Sequence, residues 1–395
     1  MIEIGSRLQL FTDEHLIERM AGLSLRLHSP TPTETVLTLD RPWEGYLCGY
    51  PAIVPHDGGW RMYYRGWPES PGTSYVCMAE SADGIDWTRP ELGVFEWEGS
   101  TANNLMLSDE EMPGERGGHN FCPVLDTRED IPEDERYKAL AYGPDVGERL
   151  HSLCAYASSD GVNWEPMNDG EPVFRAKTWR VMLDSQNVAF WNQVAGEYQL
   201  YGRNWIGAVR HIFRSCSDDF INWSEPESLD FGEAPLENLY TNGVEPYFRA
   251  PEMLIGFPKR FIPQRKVVED WPSGGLSEAV FMSSRDGLHW HRHLEAFIRP
   301  GLGDERWTER SYMVARGIIP TSDSEISVYW MEDYRRPKPR MVRGTVRTDG
   351  FVSVNAPFAG GEFVTEPLSF QGARLLLNAS TSAAGSIRVE MQDEK

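Results

Sequence analysis

The heptapeptide Ser81-Ala82-Asp83-Gly84-Ile85-Asp86-Trp87 follows the pattern S-x-D-G/F-x-x-W, which recurs along the chain. Three further copies are Ser158-Ser159-Asp160-Gly161-Val162-Asn163-Trp164, Ser217-Asp218-Asp219-Phe220-Ile221-Asn222-Trp223 and Ser284-Arg285-Asp286-Gly287-Leu288-His289-Trp290. A weaker fifth copy, Thr348-Asp349-Gly350-Phe351, has lost both the serine and the tryptophan. Self-similarity at intervals of tens of residues is the signature of a repeat architecture.

Each recurring residue type of the heptapeptide has a physical role in a tight turn. The Asp-Gly pair closes the turn, because glycine accepts positive φ and the aspartate carboxylate accepts hydrogen bonds from nearby backbone. The tryptophan is expected to hold the start of the next strand against the core. Cys77 and Cys154 stand ten residues before a repeat tryptophan, where the other repeats have Phe213 and Val280. This pattern predicts that both cysteines are core residues.

Short strand-like segments precede every turn. The predicted middle strands are 60–64, 137–141, 198–201, 252–255 and 326–330. A more apolar inner strand precedes them, for example at 51–54 and 187–191. Three to four short strands per repeat, five times over, are typical of a β-propeller. The sequence therefore predicts an all-β, five-bladed β-propeller over residues 45–360 with short N- and C-terminal β extensions.

The two extensions are residues 1–44 and 361–395. Alternating apolar residues predict half-buried strands at 23–27 and 35–39, which either cover an edge of the ring or complete its last blade. Segments 373–377 and 386–390 are predicted to form two strands of a partial sandwich.

Composition excludes several classes of function. The chain carries 38 Lys+Arg against 60 Asp+Glu, a net charge of −22, which argues against nucleic acid and anionic membrane surfaces as partners. The 14 Trp, 15 Tyr and 17 Phe supply flat faces suited to ring-shaped ligands. Five cysteines without a C-x-x-C pair indicate neither a disulfide framework nor a zinc site. We expect a cytoplasmic protein, while secretion after removal of a leader stays open.

The turn at 217–223 closely resembles that of five-bladed propeller glycoside hydrolases of the β-fructosidase and α-arabinofuranosidase/β-xylosidase type. The segments 51–54 and 61–64, joined by His56-Asp57-Gly58-Gly59, look like the first blade of that superfamily. Sialidases have a similar turn with one more residue before the tryptophan, so they match less well. The resemblance implies a propeller with a sugar-sized central funnel.

The sequence departs from that superfamily where its catalytic acids are expected. Tyr50 replaces the acid before the first inner strand, and Cys122 stands at the comparable place in the second repeat. The N-D-P-N-G and R-D-P signatures are absent. Because one fold hosts many functions, the reaction must be argued from the site itself.

A glycosidase needs two carboxyl groups, one to protonate the leaving oxygen and one to act as nucleophile or base. The acids just upstream of predicted inner strands are the candidates, since those strands line the central channel. Asp184, Glu309 and Glu44 form the predicted catalytic set, with Glu245 in reserve. Asp184 is assigned as base or nucleophile and Glu309 as acid, although the opposite assignment stays open.

Other polar residues near the same positions are predicted to bind substrate. Arg65 and Arg203 end two middle strands beside a tryptophan, where their donors suit sugar hydroxyls or a carboxylated or sulfated sugar. His119 is expected to bind a hydroxyl or to move a proton. The full predicted substrate-binding set is Arg65, His119, Asn120, Gln186, Asn187, Arg203, Tyr240, Asn242, Glu245 and Glu332.

These residues predict a glycoside hydrolase that cleaves an oligo- or polysaccharide by a two-carboxylate mechanism in the propeller funnel. No cofactor and no metal are expected, since no dinucleotide, Walker or zinc-ligand motif is present. The alternative is a propeller that binds carbohydrate or protein without chemistry, which Tyr50 and Cys122 at the expected acid positions favour.

Overall fold

The repeat heptapeptides lie at the ends of strands, in a computed structural model that describes residues 1–69, 72–113, 116–147 and 150–392. Each repeat serine, Ser81, Ser158, Ser217 or Ser284, is the last residue of a strand. The described residues contain strands and short 3-10 helices, and none of them forms an α-helix. The chain is therefore all-β, as the sequence predicts.

The N-terminal segment contributes four strands, which are β1 (Ile2–Gly5), β2 (Ile17–Ala21), β3 (Ser24–Leu27) and β4 (Thr31–Thr38). The first sheet follows, with β5 (Gly49–His56), β6 (Gly59–Gly66), β7 (Tyr75–Ser81) and β8 (Leu105–Ser108) in antiparallel order. The second sheet contains β9 (Cys122–Leu125), β10 (Tyr137–Tyr142), β11 (Ser152–Ser158), β12 (Glu165–Pro166) and β13 (Phe174–Arg175).

The third sheet contains β14 (Val181–Met182), β15 (Val188–Asn192), β16 (Glu197–Ile206), β17 (Val209–Ser217) and β18 (Glu227–Ser228). The fourth repeat forms two adjoining sheets from β19 (Asn238–Leu239), β20 (Glu245–Tyr247), β21 (Ala250–Gly256), β22 (Lys259–Ile262), β23 (Leu276–Ala279), β24 (Met282–Ser284) and β25 (His291–Arg292).

The fifth repeat contains β26 (Met313–Val314), β27 (Ile319–Ser322), β28 (Glu325–Glu332) and β29 (Arg340–Arg347). The C-terminal strands are β30 (Val352–Asn355), β31 (Glu362–Thr365) and β32 (Leu368–Phe370). The 3-10 helices are Asp109–Glu111, Gly117–Asn120, Glu133–Glu135, Asn168–Gly170 and Asp304–Arg306. Among the described residues no helix is long and apolar enough to cross a bilayer.

Neighbouring sheets share apolar cores around a central axis. Tyr63 and Met78 of the first sheet pack with Tyr137 of the second, and Tyr64 packs in one cluster with Tyr329 of the fifth. The innermost strands of the fifth and first sheets are bridged directly, since Ile53 N donates to Arg316 O (2.6 Å). This arrangement is that of a β-propeller. The number of five blades stays a prediction from the repeats.

The N-terminal segment completes the fifth sheet. Strand β4 pairs with β29 as its outer strand, which is one of the two arrangements considered for residues 35–39. Strands β3 and β2 pair with β30 and β31, and β1 pairs with β32 in parallel. Strands from the two ends of the sequence therefore pair with each other. The division into residues 1–44, 45–360 and 361–395 stays a prediction.

The two strands predicted at 373–377 and 386–390 are not formed, and that prediction was wrong. Both segments are exposed and carry no regular structure, with Leu376 85 % exposed. An apolar pattern becomes a strand only where it can hydrogen-bond to a sheet edge. Within the described chain, residues 371–392 pair with no such edge. By contrast, the core assignment of Cys77 and Cys154 is confirmed, since both are buried and reduced.

Candidate active site

A first cluster of polar residues surrounds Arg65, near the end of β6, and we call it the Arg65 cluster. Its guanidinium donates from Nη2 to the Tyr334 hydroxyl (3.1 Å), and Nη1 lies 3.0 Å from His119 Nε2. The Arg65 Cζ stands 4.7 Å from the centre of the Tyr50 ring. Arg65 is buried, and it joins residues of the first, second and fifth repeats.

A second group, the Arg203 cluster, combines Arg203 of β16 with Asp184, Tyr240 and Lys259. Arg203 Nη2 donates to Asp184 Oδ1, and its Cζ lies 4.6 Å from the Tyr240 ring centre. Lys259 Nζ lies 4.5 Å from the same ring centre. The side chain of Asp184 is 41 % exposed, whereas that of Arg203 is 3 % exposed. Asp184 is therefore the carboxylate of this cluster that a ligand can reach.

A third group, the Glu309 cluster, lies just before β26. Glu309 Oε1 accepts a hydrogen bond from Arg335 Nη1 (2.9 Å), and Oε2 accepts one from Trp271 Nε1 (2.5 Å). Arg335 also donates to Ser273 Oγ (2.8 Å). Both oxygens of the buried Glu309 thus accept from protein donors, so in this arrangement the group is a positioned carboxylate.

The charged side chains of the three clusters lie near one another. Lys259 is affected by residues of all three clusters. Burial and the positive charges of Arg310, Arg203 and Arg65 hold its pKa well below the ordinary value, while Glu309 raises it. Tyr50 is affected by residues of the Arg65 and Arg203 clusters. Burial raises its pKa, and Tyr240, Tyr334 and Asp184 raise it further against the opposing effect of Arg65. We call the residues of the three clusters, together with Tyr50 and Arg310, the mouth cleft.

Tyr240 is the most polarised phenol of the mouth cleft. Loss of surrounding water alone raises its pKa, but the guanidinium groups of Arg203 and Arg310 outweigh that effect, so that the pKa lies below its ordinary value. A positive environment of this kind stabilises the phenolate. Tyr240 therefore gives up its proton more readily than a free tyrosine.

His119 is a hydrogen-bond partner of Arg65 rather than a proton carrier. Burial, followed by the charges of Arg65 and Arg116, lowers its pKa to about 2. An acid–base catalyst needs a pKa near the working pH, and His119 stays neutral far below that range. The contact with Arg65 therefore favours the hydroxyl-binding role among the two expected for His119.

The backbone of the mouth cleft is strained at several non-glycine residues. Tyr50 has φ of 55°, Arg310 of 70° and Tyr312 of 62°. Asp333 (59°) and Arg335 (65°) follow in the loop between β28 and β29. Bulky side chains in the left-handed region cost of order 1–3 kcal/mol each and occur preferentially where the site requires a particular orientation.

Glu44, predicted as a catalytic acid, has its carboxylate engaged in an ion pair and hydrogen bonds with residues outside the three clusters. Its Oε1 accepts from Arg89 Nε (2.6 Å) and from the Tyr64 hydroxyl (2.6 Å), and Oε2 accepts from Arg41 N (2.9 Å). The side chain is fully buried. Such a saturated carboxylate holds the loop before β5 in place.

The predicted residues of the inner strands line the axis below the mouth cleft. Gln186 Nε2 donates to Pro51 O (3.0 Å), which connects the third repeat to the first across the ring. Asn187 Nδ2 donates to Leu183 O (2.8 Å), and Asn242 Nδ2 donates to Tyr201 O (3.1 Å). Asn120 is fully buried next to His119. The backbone contacts of Gln186, Asn187 and Asn242 hold these three amides in fixed positions, whereas the Asn120 amide has no hydrogen-bond partner among the described residues.

Glu245 and Glu332 occupy two further environments. Burial raises the pKa of Glu245 to about 7 against the opposing effect of Arg316, and no described residue hydrogen-bonds its Oε1. Glu332 accepts from Trp330 Nε1 (3.0 Å) and from Arg340 Nη2 (2.8 Å) at the end of β28. Glu332 is thereby engaged within the fifth sheet.

Lys259 and Tyr334 belong to the mouth cleft but are missing from the predicted set. Lys259 begins β22, between Pro258 and Arg260, and Tyr334 lies in the loop after β28. Neither stands upstream of an inner strand, which was the signal used to select candidates. The strand Lys-Arg-Phe-Ile carries no local pattern that marks Lys259 as a site residue. The described residues hold no cluster of three or more His, Cys, Asp or Glu that fits a metal ion.

Comparisons with solved structures agree with the fold. The chain superposes on a glycoside hydrolase with a TM-score of 0.54 and 12 % identity, covering 81 % of this chain and 92 % of the other. An N-acetylgalactosamine deacetylase from F. plautii, in complex with blood group B trisaccharide, gives a TM-score of 0.54 and 13 % identity over 82 % and 95 % of the two chains. Both superpositions span most of the ring.

At these identities the likeness establishes the fold alone. No protein-family model matches the chain, and no curated protein sequence matches it. The predicted resemblance to propeller hydrolases is confirmed at the level of architecture. Fold and site together define a β-propeller protein in which buried arginine and lysine side chains from several repeats lie against tyrosine rings.

Proposed function

We propose that this protein hydrolyses a glycosidic bond of an oligo- or polysaccharide in the central funnel of a five-bladed propeller. One observation carries the proposal: Asp184, from the third repeat, pairs with Arg203, and the charges of Arg203 and of Glu309, from the fifth repeat, both act on the pKa of Lys259. Two carboxyl groups that converge from different repeats meet the basic requirement of glycoside hydrolysis.

The two acids differ in what they can do. Asp184 is partly exposed and keeps an oxygen beyond its contact with Arg203, which supports a role as nucleophile or general base. Glu309 accepts from Arg335 and Trp271 with its two oxygens, so it protonates a leaving group only if one of these contacts is released. Tyr240, with its lowered pKa, is the other group of the cleft that can deliver a proton.

The surroundings suit a sugar. Trp67 packs on His119 at 5.0 Å between ring centres, and Trp271 stands beside Glu309. Flat aromatic faces next to hydrogen-bonding groups are common in carbohydrate sites. The similarity in fold to a glycoside hydrolase and to a protein described with a bound trisaccharide agrees with a carbohydrate substrate.

The test is hydrolysis of aryl glycosides and of oligosaccharides by the wild-type protein and three variants. Asp184→Asn is expected to lower kcat of the folded fraction at least 1,000-fold on every substrate, and to lower the melting temperature as well, because the buried Arg203 loses its counter-charge. If Glu309 is the acid, Glu309→Gln loses activity on poor leaving groups but keeps it on nitrophenyl glycosides, which need no proton. If Tyr240 is the acid, Tyr240→Phe shows that selectivity instead.

The matched control is Asp57→Asn, which removes a surface carboxylate paired with Arg136 (2.7 Å) outside the cleft. It is expected to retain full activity. Wild-type activity that survives in Asp184→Asn contradicts the proposed role of Asp184.

The alternative is a propeller that binds carbohydrate without cleaving it. Tyr50 and Cys122 at the positions of the expected acids, together with arginine partners on both remaining acids, favour this alternative. Binding of oligosaccharides without hydrolysis of any substrate in the screen would establish the alternative and refute the hydrolase.

A further inference from the structure

The mouth cleft is positively charged in a protein whose net charge is −22. The positive charges of Arg310, Arg203 and Arg65 all act on Lys259, and of these four residues all but Arg310 are buried. Of the two acids, Glu309 is paired with Arg335, which leaves Asp184 to balance the rest. Like charges gathered in a poorly hydrated space are unfavourable unless an anion joins them.

Arg203 has N–H donors that no described residue accepts. Its Nη2 binds Asp184, but Nε and Nη1 have no hydrogen-bond partner among the described residues, although the residue is only 3 % exposed. A buried guanidinium with unused donors costs free energy in the unliganded protein. Its unpartnered donors lie beside the Tyr240 ring, at the wall of the cleft.

Lys259 shows the same deficit. It is 2 % exposed, and within the described part of the chain no carboxylate forms an ion pair with it. Burial, followed by the neighbouring positive charges, holds its pKa low. An anion bound beside Lys259 reverses that balance, because an opposite charge favours the ammonium form.

The shape of the site favours a sugar acid over a bare ion. The rings of Tyr50 and Tyr240 lie against Arg65 and Arg203, and the partly exposed Tyr240 offers an aromatic surface beside Arg203. A carboxylate attached to a sugar ring satisfies guanidinium and ammonium donors together, while the ring and its hydroxyls contact the tyrosines. Asp184 stands beside this position with an exposed carboxylate.

We propose that the mouth cleft contains an anion subsite, formed by Arg203, Lys259 and Arg310, that binds the carboxylate of a uronic acid. The substrate of the proposed hydrolase is therefore an acidic sugar. The claim that the acidic sugar is a substrate rests on the proposed function. The claim that the subsite binds a uronic acid does not depend on hydrolysis.

The experiment measures binding of three monosaccharides by calorimetry at low and high salt. These are a hexuronic acid, its neutral hexose and the same hexose as a sulfate ester. The uronic acid is expected to bind at least tenfold more tightly than the neutral hexose, with a preference that shrinks as salt rises. Equal affinity for uronic acid and neutral hexose overturns the subsite. Tighter binding of the sulfate ester overturns the assignment to a carboxylate.

Lys259→Met tests the subsite without removing an acid. The variant is expected to lose the tenfold preference while gaining stability when unliganded, because it removes a buried, unpaired amine. The matched control is Lys266→Met, an exposed lysine four residues after β22, which removes the same charge outside the cleft and is expected to keep the preference. A preference that persists in Lys259→Met, with Lys266→Met identical to it, contradicts the role of Lys259.

Failure of this inference and failure of the proposed function are distinguishable. Uronic acid selectivity in binding without hydrolysis refutes the hydrolase and supports the subsite. Hydrolysis of neutral oligosaccharides without that selectivity supports the hydrolase and refutes the subsite.

Discussion

The four turn heptapeptides and the mouth cleft obey different rules within the same ring. In every turn, the tryptophan Nε1 donates to the carbonyl three residues earlier, at 3.0–3.2 Å. The aspartate Oδ1 accepts from the backbone N–H three residues later, at 2.7–2.9 Å. These contacts are local, so the same seven residues rebuild them wherever they occur.

Apart from Arg65 and Arg203, which both lie near the end of a middle strand beside a tryptophan, the residues of the mouth cleft do not recur from one sheet to the next. Arg65 binds His119 and Tyr334, Arg203 binds Asp184, and Glu309 binds Arg335. Each contact joins residues separated by tens or hundreds of positions. The difference teaches that the repeat encodes the fold, while the site is encoded by the positions at which the repeats differ.

One turn shows how far the repeat can vary. Phe220 takes φ of 68° where the other three turns have glycine. In the first and third sheets, Tyr63 and Tyr201 donate to the turn carbonyls of Gly161 and Gly287. In the second sheet Leu140 packs in one cluster with Phe220 instead. An apolar contact from the turn replaces the tyrosine hydrogen bond.

Among the variants considered, Trp290→Ala, which removes the tryptophan of one turn heptapeptide, is expected to have the largest effect on stability. Trp290 is 3 % exposed and stands 5.9 Å from the Tyr201 ring, so its loss is expected to cost about 4 kcal/mol of unfolding free energy. The folded fraction should keep its kcat. Urea unfolding and turnover measured on the same sample check both parts. Loss of turnover at unchanged stability contradicts the assignment.

Glu44→Gln separates a predicted catalytic acid from the cleft. Breaking its buried pair with Arg89 is expected to cost about 3 kcal/mol of stability, because the arginine is left without its counter-charge. Since Glu44 lies outside the cleft, kcat of the folded variant should match that of the wild type. A 100-fold fall in kcat, with stability unchanged, shows instead that Glu44 takes part in the reaction.

Glu245→Gln tests whether the buried Glu245 makes the stability of the ring depend on pH. The folded-state pKa of about 7 lies above the ordinary value of 4.5, so the folded state binds the proton more tightly. Stability due to this group is present below pH 4.5 and is lost as the pH rises through about 7. The variant is expected to be more stable than wild type by about 2 kcal/mol at pH 8 and equal to it at pH 4. Urea unfolding at the two pH values measures the difference, and an equal effect at both contradicts it.

His119→Asn gives the smallest expected effect on the pH dependence. Because the pKa of His119 is about 2, the group does not titrate where the protein is active, and the pH–kcat profile of the variant should keep its shape while KM rises through the lost contact with Arg65. The two profiles, recorded from pH 5 to 9, test this. A limb of the profile that disappears in the variant contradicts the neutral histidine.

Much of the architecture was predictable because it depends on short-range patterns. The turn at 158–164 and the alternation at 35–39 specify a turn and a strand from their own residues. The pattern at 373–377 failed, since strand formation also requires a partner edge elsewhere in the chain. Asp184, Glu309, Arg65 and Arg203 were found as candidates from their place next to predicted strands. Glu44 satisfied the same criterion and lies elsewhere.

By itself, the sequence determined the all-β class, the repeats and the turn chemistry, because these depend on residues within a few positions of one another. Only the tertiary structure decided that Lys259 and Tyr334 join the cleft, that Glu44 is bound to Arg89, and that Tyr50 lies against Arg65. Charge balance and burial at the centre of a ring depend on contributions from every repeat, and no single stretch of sequence contains that sum.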